Sequence, residues 1–397
     1  MAERLVYDPS SYAQQADPYP VYRRMLEEAP LYRNEDLDFW ALTRFEDVAA
    51  GLNDPLGLSS AQGTLIEQIR SDSPAPDMII FMDPPRHDLL RKIISKAFTP
   101  RRIAQLEGEI RAACQVWLEE MDDTGGGDLV EAFAGRLPST VIAKLLGAPD
   151  EDHARLKQLS DRLLHRDDGS LSRPEDAQQA GAELAGYFYE LITARRTAPA
   201  DDLASALIEA KVEGPDGAQQ LNDGELIFFC LLLGVAGNET TAKMISTGAV
   251  LLAEHPDQRK MLVADPSQWS SAVEEMLRFD PPSHYQGRVT TRPTTWNGTE
   301  VPEGAVVLLV NGAANRDPRV FDDPDSFRIG RTFERHLAFG HGVHFCLGSS
   351  LARLETRVAL EELVRRFPGY AVDTSAVERA HSSNVRGLSR VPITTCA

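Results

Sequence analysis

FGHGVHFCLG, Phe339 to Gly348, surrounds one cysteine with glycines and leads directly into a helix-forming segment. Glycine adopts backbone conformations that other residues rarely adopt, and it lets the backbone pass close to a flat ligand. A cysteine before a helix, such as Cys346, meets the positive end of the helix dipole and free N–H groups, and both lower a thiol's pKa. The segment therefore predicts a thiolate at Cys346 that can ligate a metal ion.

Two other interpretations of Cys346 stay open on these residues alone. It can be a buried, inert cysteine that happens to precede a helix. It can also join His341 and His344 in a zinc site, because their spacing suits zinc. The sequence offers no obvious second cluster of ligands for such a site, and zinc does not require the glycine pattern.

FGHGVHFCLG resembles the haem-binding signature of the cytochrome P450 family: Phe, two residues, Gly, three residues, Cys, one residue, Gly. Every fixed position is matched, and the following SSLARLE, residues 349–355, is typical of bacterial members. The resemblance implies that Cys346 is the proximal ligand of a haem b iron. It also implies that Phe339 packs beside the ligand, that His344 bonds a haem propionate and that Gly348 belongs to the haem-binding loop.

A second motif of the family is the E-x-x-R pair formed by Glu275 and Arg278. Residues three apart share a helix face, and an exposed pair of this kind is worth only about 0.2–0.5 kcal/mol. The family adds a downstream arginine, which Arg331 matches. The resemblance implies a structural charge cluster of these three residues that supports the cysteine loop and has no chemical role.

AGNETT, residues 236–241, interrupts a strongly apolar helix. Glycine weakens a helix interior and a buried acid needs a partner, so the segment is either a solvated turn or a loosened turn with a function. The family has an acid–alcohol pair here, which Glu239 and Thr240 match. The resemblance implies that Thr240 hydrogen-bonds oxygen, that Glu239 passes protons inward and that Ala236 contacts the haem.

His87 and Arg91 are four residues apart, so one helix face presents both. Each could be a surface charge, but the surrounding segment, residues 82–100, resembles the family's entry into a helix at the haem edge. The resemblance implies that both bind haem propionates, as does Arg288. Arginine suits this role because its guanidinium binds carboxylates in a bidentate manner.

Composition limits the remaining possibilities. The chain has 397 residues and a net charge of -19, which makes nucleic acid an unfavourable partner. Its four cysteines are far apart, as expected in a reducing cytosol. Its longest apolar run, residues 226–236, is too short to cross a bilayer. These observations indicate a cytoplasmic protein, and the resemblance implies a monomer in which residues 1–397 form one cytochrome P450 domain.

Hydrophobic periodicity predicts a mainly α protein with small β-sheets. The resemblance implies the cytochrome P450 fold, with the haem buried between two long helices. Strands are predicted at 40–43 and within 288–310, with a hairpin at Asn297-Gly298. The predicted helices are 102–121, 175–196, 223–255, 268–279 and 347–367.

The resemblance implies a monooxygenase that uses O2 and electrons from a separate ferredoxin or flavodoxin with its reductase. The predicted docking site is a basic cluster, which could equally be a solvated helix face: Arg86, Lys92, Lys96, Arg101 and Arg102. The predicted pocket for a hydrophobic small molecule includes segments 61–80 and 385–388 and these residues: Leu232, Val235, Ala236, His284, Tyr285 and Gln286. A peroxide-driven haem–thiolate enzyme and a haem-binding sensor or carrier are the alternatives.

Overall fold

The computed structural model describes residues 4–395 except 73, 171, 173, 215, 216 and 383. Cys396 lies outside the described residues. The α-helices are α1 (Tyr12–Ala16), α2 (Tyr19–Glu28), α3 (Phe45–Leu52), α4 (Ile66–Ile69), α5 (Arg86–Ala97), α6 (Pro100–Gln105), α7 (Glu107–Asp123), α8 (Arg136–Leu146), α9 (His153–Leu164), α10 (Glu175–Thr197), α11 (Leu203–Glu209), α12 (Asp223–Glu254), α13 (Pro256–Ala264), α14 (Trp269–Phe279), α15 (Asn311–Ala314) and α16 (Ser349–Arg366). The β-strands are β1 (Leu31–Asn34), β2 (Phe39–Leu42), β3 (Leu58–Ser59), β4 (Gly126–Asp128), β5 (Val212–Gly214), β6 (Gly217–Gln219), β7 (Gln286–Thr290), β8 (Thr294–Trp296), β9 (Thr299–Val301), β10 (Val306–Leu309), β11 (Ala371–Val372), β12 (Glu378–Arg379), β13 (Leu388–Arg390) and β14 (Pro392–Thr394).

The helices predicted from hydrophobic periodicity are present, and the mainly α class with small sheets is confirmed. α10, α12, α14 and α16 begin and end within two residues of their predicted bounds. The segment predicted as one helix at 102–121 is instead divided at Leu106, where α6 ends and α7 begins.

Among the described residues, α12 is the longest helix, with 32 residues. Its N-terminus is closed by a capping box, because the Asn222 and Glu225 side chains each accept a 2.9 Å hydrogen bond from the other's backbone N–H. Apolar side chains surround most of the helix, and it packs against α8, α9, α10 and α16. By length and composition α12 could cross a bilayer, but 61% of the apolar stretch is buried within the fold.

The largest sheet of the described residues has the strand order β1-β2-β10-β7-β3. β10 pairs antiparallel with β7 and parallel with β2, so it joins strands distant in sequence. The strands predicted at 40–43 and within 288–310 are confirmed. Asn297 and Gly298, with φ of 50° and 79°, close the β8–β9 hairpin as their pairing predicts.

Helix and sheet packing bring distant segments to one place. α16 packs against α7, α12 and α14, so the loop that precedes α16 lies beside the helical core. α5 carries His87 and Arg91, and β7 carries Arg288. Because Ala236 lies on α12, the predicted haem-contacting residues come from two helices, a strand and a loop that are far apart in the chain.

Candidate functional site

The loop before α16 is fixed by its own backbone and by the end of α3. The Cys346 N–H donates a 2.9 Å hydrogen bond to the Phe339 carbonyl. Gly340 and Gly342 have φ of 71° and 69°, a conformation that glycine adopts without strain. A Cβ at Gly342 would also lie 2.7 Å from the Leu52 carbonyl oxygen. The loop's path therefore requires both glycines.

Opposing effects act on the pKa of the Cys346 thiol. Burial raises its pKa and is the larger effect, while hydrogen bonds from the backbone N–H groups of Gly348 and Ser349 lower it. The guanidinium groups of Arg91 and Arg353 also lower it. The N–H groups therefore act in the expected direction, but desolvation of the sulfur outweighs them and the nearby cations.

Four basic side chains meet beside the cysteine loop. The ring centroids of His87 and His344 are 4.3 Å apart. Arg91 donates a 2.6 Å hydrogen bond to the Phe345 carbonyl, and Arg288 is buried and donates a 2.7 Å bond to the carbonyl of the preceding residue. Within the described part of the chain, neither arginine forms an ion pair with a carboxylate.

The positive charges of these four side chains favour the binding of an anion. Burial lowers the pKa of Arg288 to about 10. Burial, followed by the positive charge of Arg288 and then by His87 and Arg91, lowers the pKa of His344 to about 3. Buried cations without a carboxylate partner are unfavourable. The donor set therefore fits the two propionate carboxylates of a haem, with Cys346 as its thiolate.

The structure adds a residue to this group that sequence reasoning missed. The Ser60 hydroxyl lies 3.3 Å from Nε2 of His344, and the Ser60 N–H donates a 2.9 Å bond to Asp83. No local motif marks Ser60, because its partner is 284 residues away in the sequence.

A second group of residues that the sequence did not predict packs against Phe339. Arg353 lies over the Phe339 ring, 4.5 Å from its centroid, and makes hydrogen bonds of 2.6 and 2.9 Å to Glu274. Nε2 of His336 is 3.0 Å from the same carboxylate, and Nδ1 of His336 accepts a bond from the Ala338 N–H. Hydrogen bonds from His336 and Arg353 outweigh desolvation and lower the pKa of Glu274 to about 2.

Glu275, Arg278 and Arg331 are in contact, and Glu275 and Arg278 side chains are 0% exposed. Arg278 makes hydrogen bonds of 2.7 and 2.9 Å to Glu275, and Arg331 makes one of 3.1 Å. Arg278 also donates to the carbonyls of Asn315 and Pro324, at 3.0 and 2.9 Å. The three charges thus tie α14 to the segment that leads into the cysteine loop.

One face of α12 is left partly uncovered by the described residues. Leu232, Ala236 and Thr240 are four residues apart and half-buried or exposed, whereas most of the helix is buried. The helix is continuous through AGNETT, and the Thr240 hydroxyl donates a 2.6 Å bond to the Ala236 carbonyl. A Cβ at Gly237 would lie 2.9 Å from Ile142, so this glycine permits close packing of α8.

Glu239 points toward α9. It is buried, and Nζ of Lys243 lies 3.3 Å from its Oε2. It also shares a side-chain hydrogen bond with Asp161 of α9, which in turn is bonded by Lys157 at 2.6 Å. Burial is the largest cause that raises the pKa of Glu239 to about 7, and the bond to Asp161 adds to it against the charge of Lys243.

The predicted pocket residues occupy two regions. Leu232 and Ala236 lie on the uncovered face of α12, while Val235 is buried. His284 and Tyr285 line a small, partly open cleft between residues 7–22 and the segment 384–387.

Specific hydrogen bonds hold the residues around that cleft. The Tyr22 hydroxyl is 2.9 Å from Nδ1 of His284. The Gln286 amide donates a 2.9 Å bond to Ser283. His284 is therefore held by the N-terminal helix α2 at this end of the cleft.

The zinc alternative does not form. The described residues contain no group of three or more His, Cys, Asp and Glu side chains placed to hold a metal ion. His341, His344 and Cys346 are neighbours in sequence, yet the loop does not direct them to one point.

The predicted basic cluster is partly neutralised. Arg86 forms an ion pair with Glu225, and Arg102 lies 3.4 Å from Asp201. Lys96 donates a 2.6 Å bond to a backbone carbonyl. Of the five predicted residues, the exposed Lys92 and Arg101 are those without an ion-pair partner in the described part of the chain.

The chain is similar to known proteins along nearly its whole length. Residues 269–392 match the family model "Cytochrome P450". Cytochrome P450 123 of Mycobacterium tuberculosis is 45% identical over 396 residues, 99% of this chain and 98% of that protein. The vitamin D(3) 25-hydroxylase of Pseudonocardia autotrophica is 40% identical over 385 residues, 95% of this chain and 94% of that protein.

The overall structure is similar to that of CYP109E1 from Bacillus megaterium, solved in complex with testosterone. The TM-score is 0.89 at 32% identity, over 97% of this chain and 99% of that chain. The chain that folds around Cys346 thus has relatives along nearly its whole length in sequence and in structure, and it belongs to the cytochrome P450 family of haem–thiolate monooxygenases.

Proposed function

We propose that this protein binds haem b through Cys346 and inserts one atom of O2 into a hydrophobic small molecule. The observation that carries the proposal is the group of His87, Arg91, Arg288 and His344, whose unpaired positive charge lies beside a single cysteine loop. Bound haem would supply the activation of molecular oxygen, which amino-acid side chains do not perform.

Different residues of this chain orient the haem, support the cysteine loop and border the space for oxygen and substrate. The four basic side chains orient the haem by binding its propionates, and the Glu274–His336–Arg353 group holds Phe339 beside the ligand. The uncovered face of α12 borders the space for oxygen and substrate. Thr240 would donate a hydrogen bond there once its hydroxyl leaves the Ala236 carbonyl, and Glu239 delivers protons to that side of the helix.

The substrate is proposed as a hydrophobic molecule because the α12 face presents Leu232 and Ala236 to it. A lipid, a terpenoid, a steroid or a secondary metabolite fits that description. Vitamin D(3) and testosterone, named for two of the relatives, are suitable first compounds for a binding screen. A haem spin-state shift on binding, followed by mass spectrometry of the products, is the direct test.

A separate ferredoxin or flavodoxin with its reductase is proposed as the electron donor. A monomeric state, a single domain over residues 1–397 and a cytoplasmic location stay predictions. Because the protein carries a net charge of -19, an acidic donor needs a local positive surface to dock. Lys92 and Arg101 are the unpaired positive charges of the predicted cluster and are proposed as the centre of this surface.

Removing the Thr240 hydroxyl should separate oxygen activation from substrate oxidation. In Thr240→Ala, electrons should still arrive and NAD(P)H should still be consumed, while product falls and hydrogen peroxide rises. A lost donor at such a site costs about 10²–10³ in rate, by analogy with oxyanion-site variants. The measurement is the ratio of product to NAD(P)H consumed. Glu239→Gln should instead slow NAD(P)H consumption itself, because it acts on proton entry.

Thr240→Ser is the matched control, because it keeps a hydroxyl that can donate to the same place. It should retain most of the coupling. If Thr240→Ala remains fully coupled, another group or the substrate donates the bond, and Thr240 serves only to bond the Ala236 carbonyl.

Reversing Lys92 and Arg101 to glutamate should slow reduction by the donor and weaken the salt dependence of that rate. Exposed charges are screened over about 10 Å at 0.1 M ionic strength, so steering by them depends on salt. Stopped-flow reduction across a salt series measures this, and substrate affinity should not change. Lys260→Glu, an exposed reversal on α13, is the control. Equal behaviour of both variants would refute docking at Lys92 and Arg101.

A further inference from the structure

The cleft beside His284 and Tyr285 is bordered by residues 7–22 on one side and by residues 379–387 on the other. It is too small for a whole lipid or steroid, but it suits the polar end of one. Four polar side chains of the C-terminal segment line it: Arg379, Ser382, Asn384 and Arg386. The cleft therefore offers hydrogen-bond donors that none of the proposed haem contacts uses.

Arg379 is a cation of this cleft without a partner in the described part of the chain. On β12 the preceding residue, Glu378, pairs with Arg390 at 3.3 Å on the exposed face. Arg379 lies on the opposite face of the strand, across from the buried Leu388. Its half-buried side chain makes no hydrogen bond and no ion pair with any described residue. Burial lowers the pKa of Arg379, and the charge of Arg386 adds to this effect.

The acids near Arg379 are bonded to other groups. Asp280 is the acid that acts most strongly on Arg379, but its Oδ1 accepts a 2.8 Å hydrogen bond from Arg386. Oδ1 of Asp8, which also lines the cleft, accepts bonds of 2.9 and 2.6 Å from the N–H and hydroxyl of Ser10. A half-buried cation without its own counter-ion is unfavourable, so the cleft favours an anionic ligand.

Both walls of the cleft continue toward the proposed haem and substrate region. Gly387, at the end of one wall, lies against α12, since a Cβ there would lie 2.3–2.7 Å from the side-chain carbons of Lys243. Lys243 is three residues from Thr240 on that helix. The other wall leads directly into β7, which carries Arg288 of the basic group. A ligand held in the cleft therefore has its other end near the proposed site of oxidation.

We propose that Arg379 binds the carboxylate of the substrate, and that the substrate is a hydrophobic monocarboxylic acid. The inference rests on the proposed oxidation of a hydrophobic molecule at the α12 face. A guanidinium binds a planar carboxylate through two parallel hydrogen bonds, and Ser382 and Asn384 provide further donors. One unpaired charge with acids nearby suits a singly charged carboxylate better than a doubly charged phosphate.

Arg379 is a specificity-determining residue in this proposal and takes no part in oxygen activation. By holding one end of the substrate, it fixes which carbon of the apolar body lies beside the haem. Its loss should therefore weaken the binding of acids and allow oxidation at more positions, while the haem and its ligand Cys346 stay unchanged.

The first test is a spin-state titration of the haem-loaded protein with apolar acids and their matched alcohols. Long-chain fatty acids and alcohols, a terpenoid pair and a steroid pair are the probes. In at least one pair the acid should bind about tenfold more tightly, the low end for a hydrogen bond to a charged group. Arg379→Gln should remove this preference by weakening acid binding alone. Arg379→Lys, which keeps the charge, should retain part of it.

Arg390→Gln is the matched control, because Arg390 is an exposed arginine of the neighbouring strand and is paired with Glu378. It should keep the full preference for the acid. Equal affinity for acid and alcohol in the wild type would overturn the inference, as would a preference that survives Arg379→Gln. Calorimetric binding of an acid without a spin-state shift would also refute it, because the acid would then lie outside the substrate space.

The second test is product analysis by mass spectrometry. With the preferred acid, Arg379→Gln should raise KM about tenfold, change kcat less and spread oxidation over more carbons than in the wild type. An unchanged KM and product pattern would contradict the role of Arg379. If neutral compounds such as testosterone are bound and oxidised while no acid is, only the inference fails. If no apolar compound, acidic or neutral, shifts the spin state, the proposed hydrophobic substrate fails as well.

Discussion

Cys346→Ala should abolish the red-shifted Soret band that a thiolate-ligated haem gives in its reduced, carbon monoxide-bound form. The protein should still fold, because Cys346 lies in a loop and its backbone N–H, not its side chain, makes the 2.9 Å bond to Phe339. Haem should be retained weakly through the four basic side chains, without the thiolate spectrum. Monooxygenase activity should be lost completely, since no other described sulfur lies in this loop.

Cys114→Ala and Cys230→Ala are the controls for this experiment. Both thiols are buried in helices, and burial raises the pKa of each to about 12. They should keep the thiolate band, with only a small loss of stability from the removed sulfur. Retention of the band in Cys346→Ala would show that the iron ligand lies elsewhere in the chain.

Arg278→Met should lower the free energy of unfolding by about 3–5 kcal/mol, the usual effect of removing one partner from a buried ion pair. The variant leaves Glu275 at 0% exposure with one fewer cation and leaves the Asn315 and Pro324 carbonyls without their donor. Denaturant unfolding of the haem-free protein measures this directly. Haem affinity should fall as well, because the cluster anchors the segment that enters the cysteine loop.

The double variant Glu275→Gln/Arg278→Met should recover part of the loss, since it no longer buries an uncompensated carboxylate. Arg366→Met is the matched control on the surface. Arg366 is paired with Asp122 at 2.5 Å, but both side chains are about 40% exposed. Its loss should cost about 0–1 kcal/mol. Equal destabilisation by Arg278→Met and Arg366→Met would contradict the proposed structural role of the cluster.

The helical elements and the cysteine loop were predictable because their signals are local. The period of apolar residues predicts α10, α12, α14 and α16, and the pair Asn297-Gly298 predicts its hairpin. The order of several spaced motifs identified the family. Local patterns do not show every environment: Glu355 of α16 is buried, and its carboxylate oxygens have no hydrogen-bond partner among the described residues.

The amino-acid sequence by itself determined the family and the helical class, and it predicted which residues bind the haem. Only the tertiary structure decided which partners those residues have. Ser60 joins His344 across 284 residues, and Asp161 reaches Glu239 from another helix. The physical reason is that a periodic pattern specifies which face of an element is apolar, whereas hydrogen bonds and desolvation depend on which faces meet after packing.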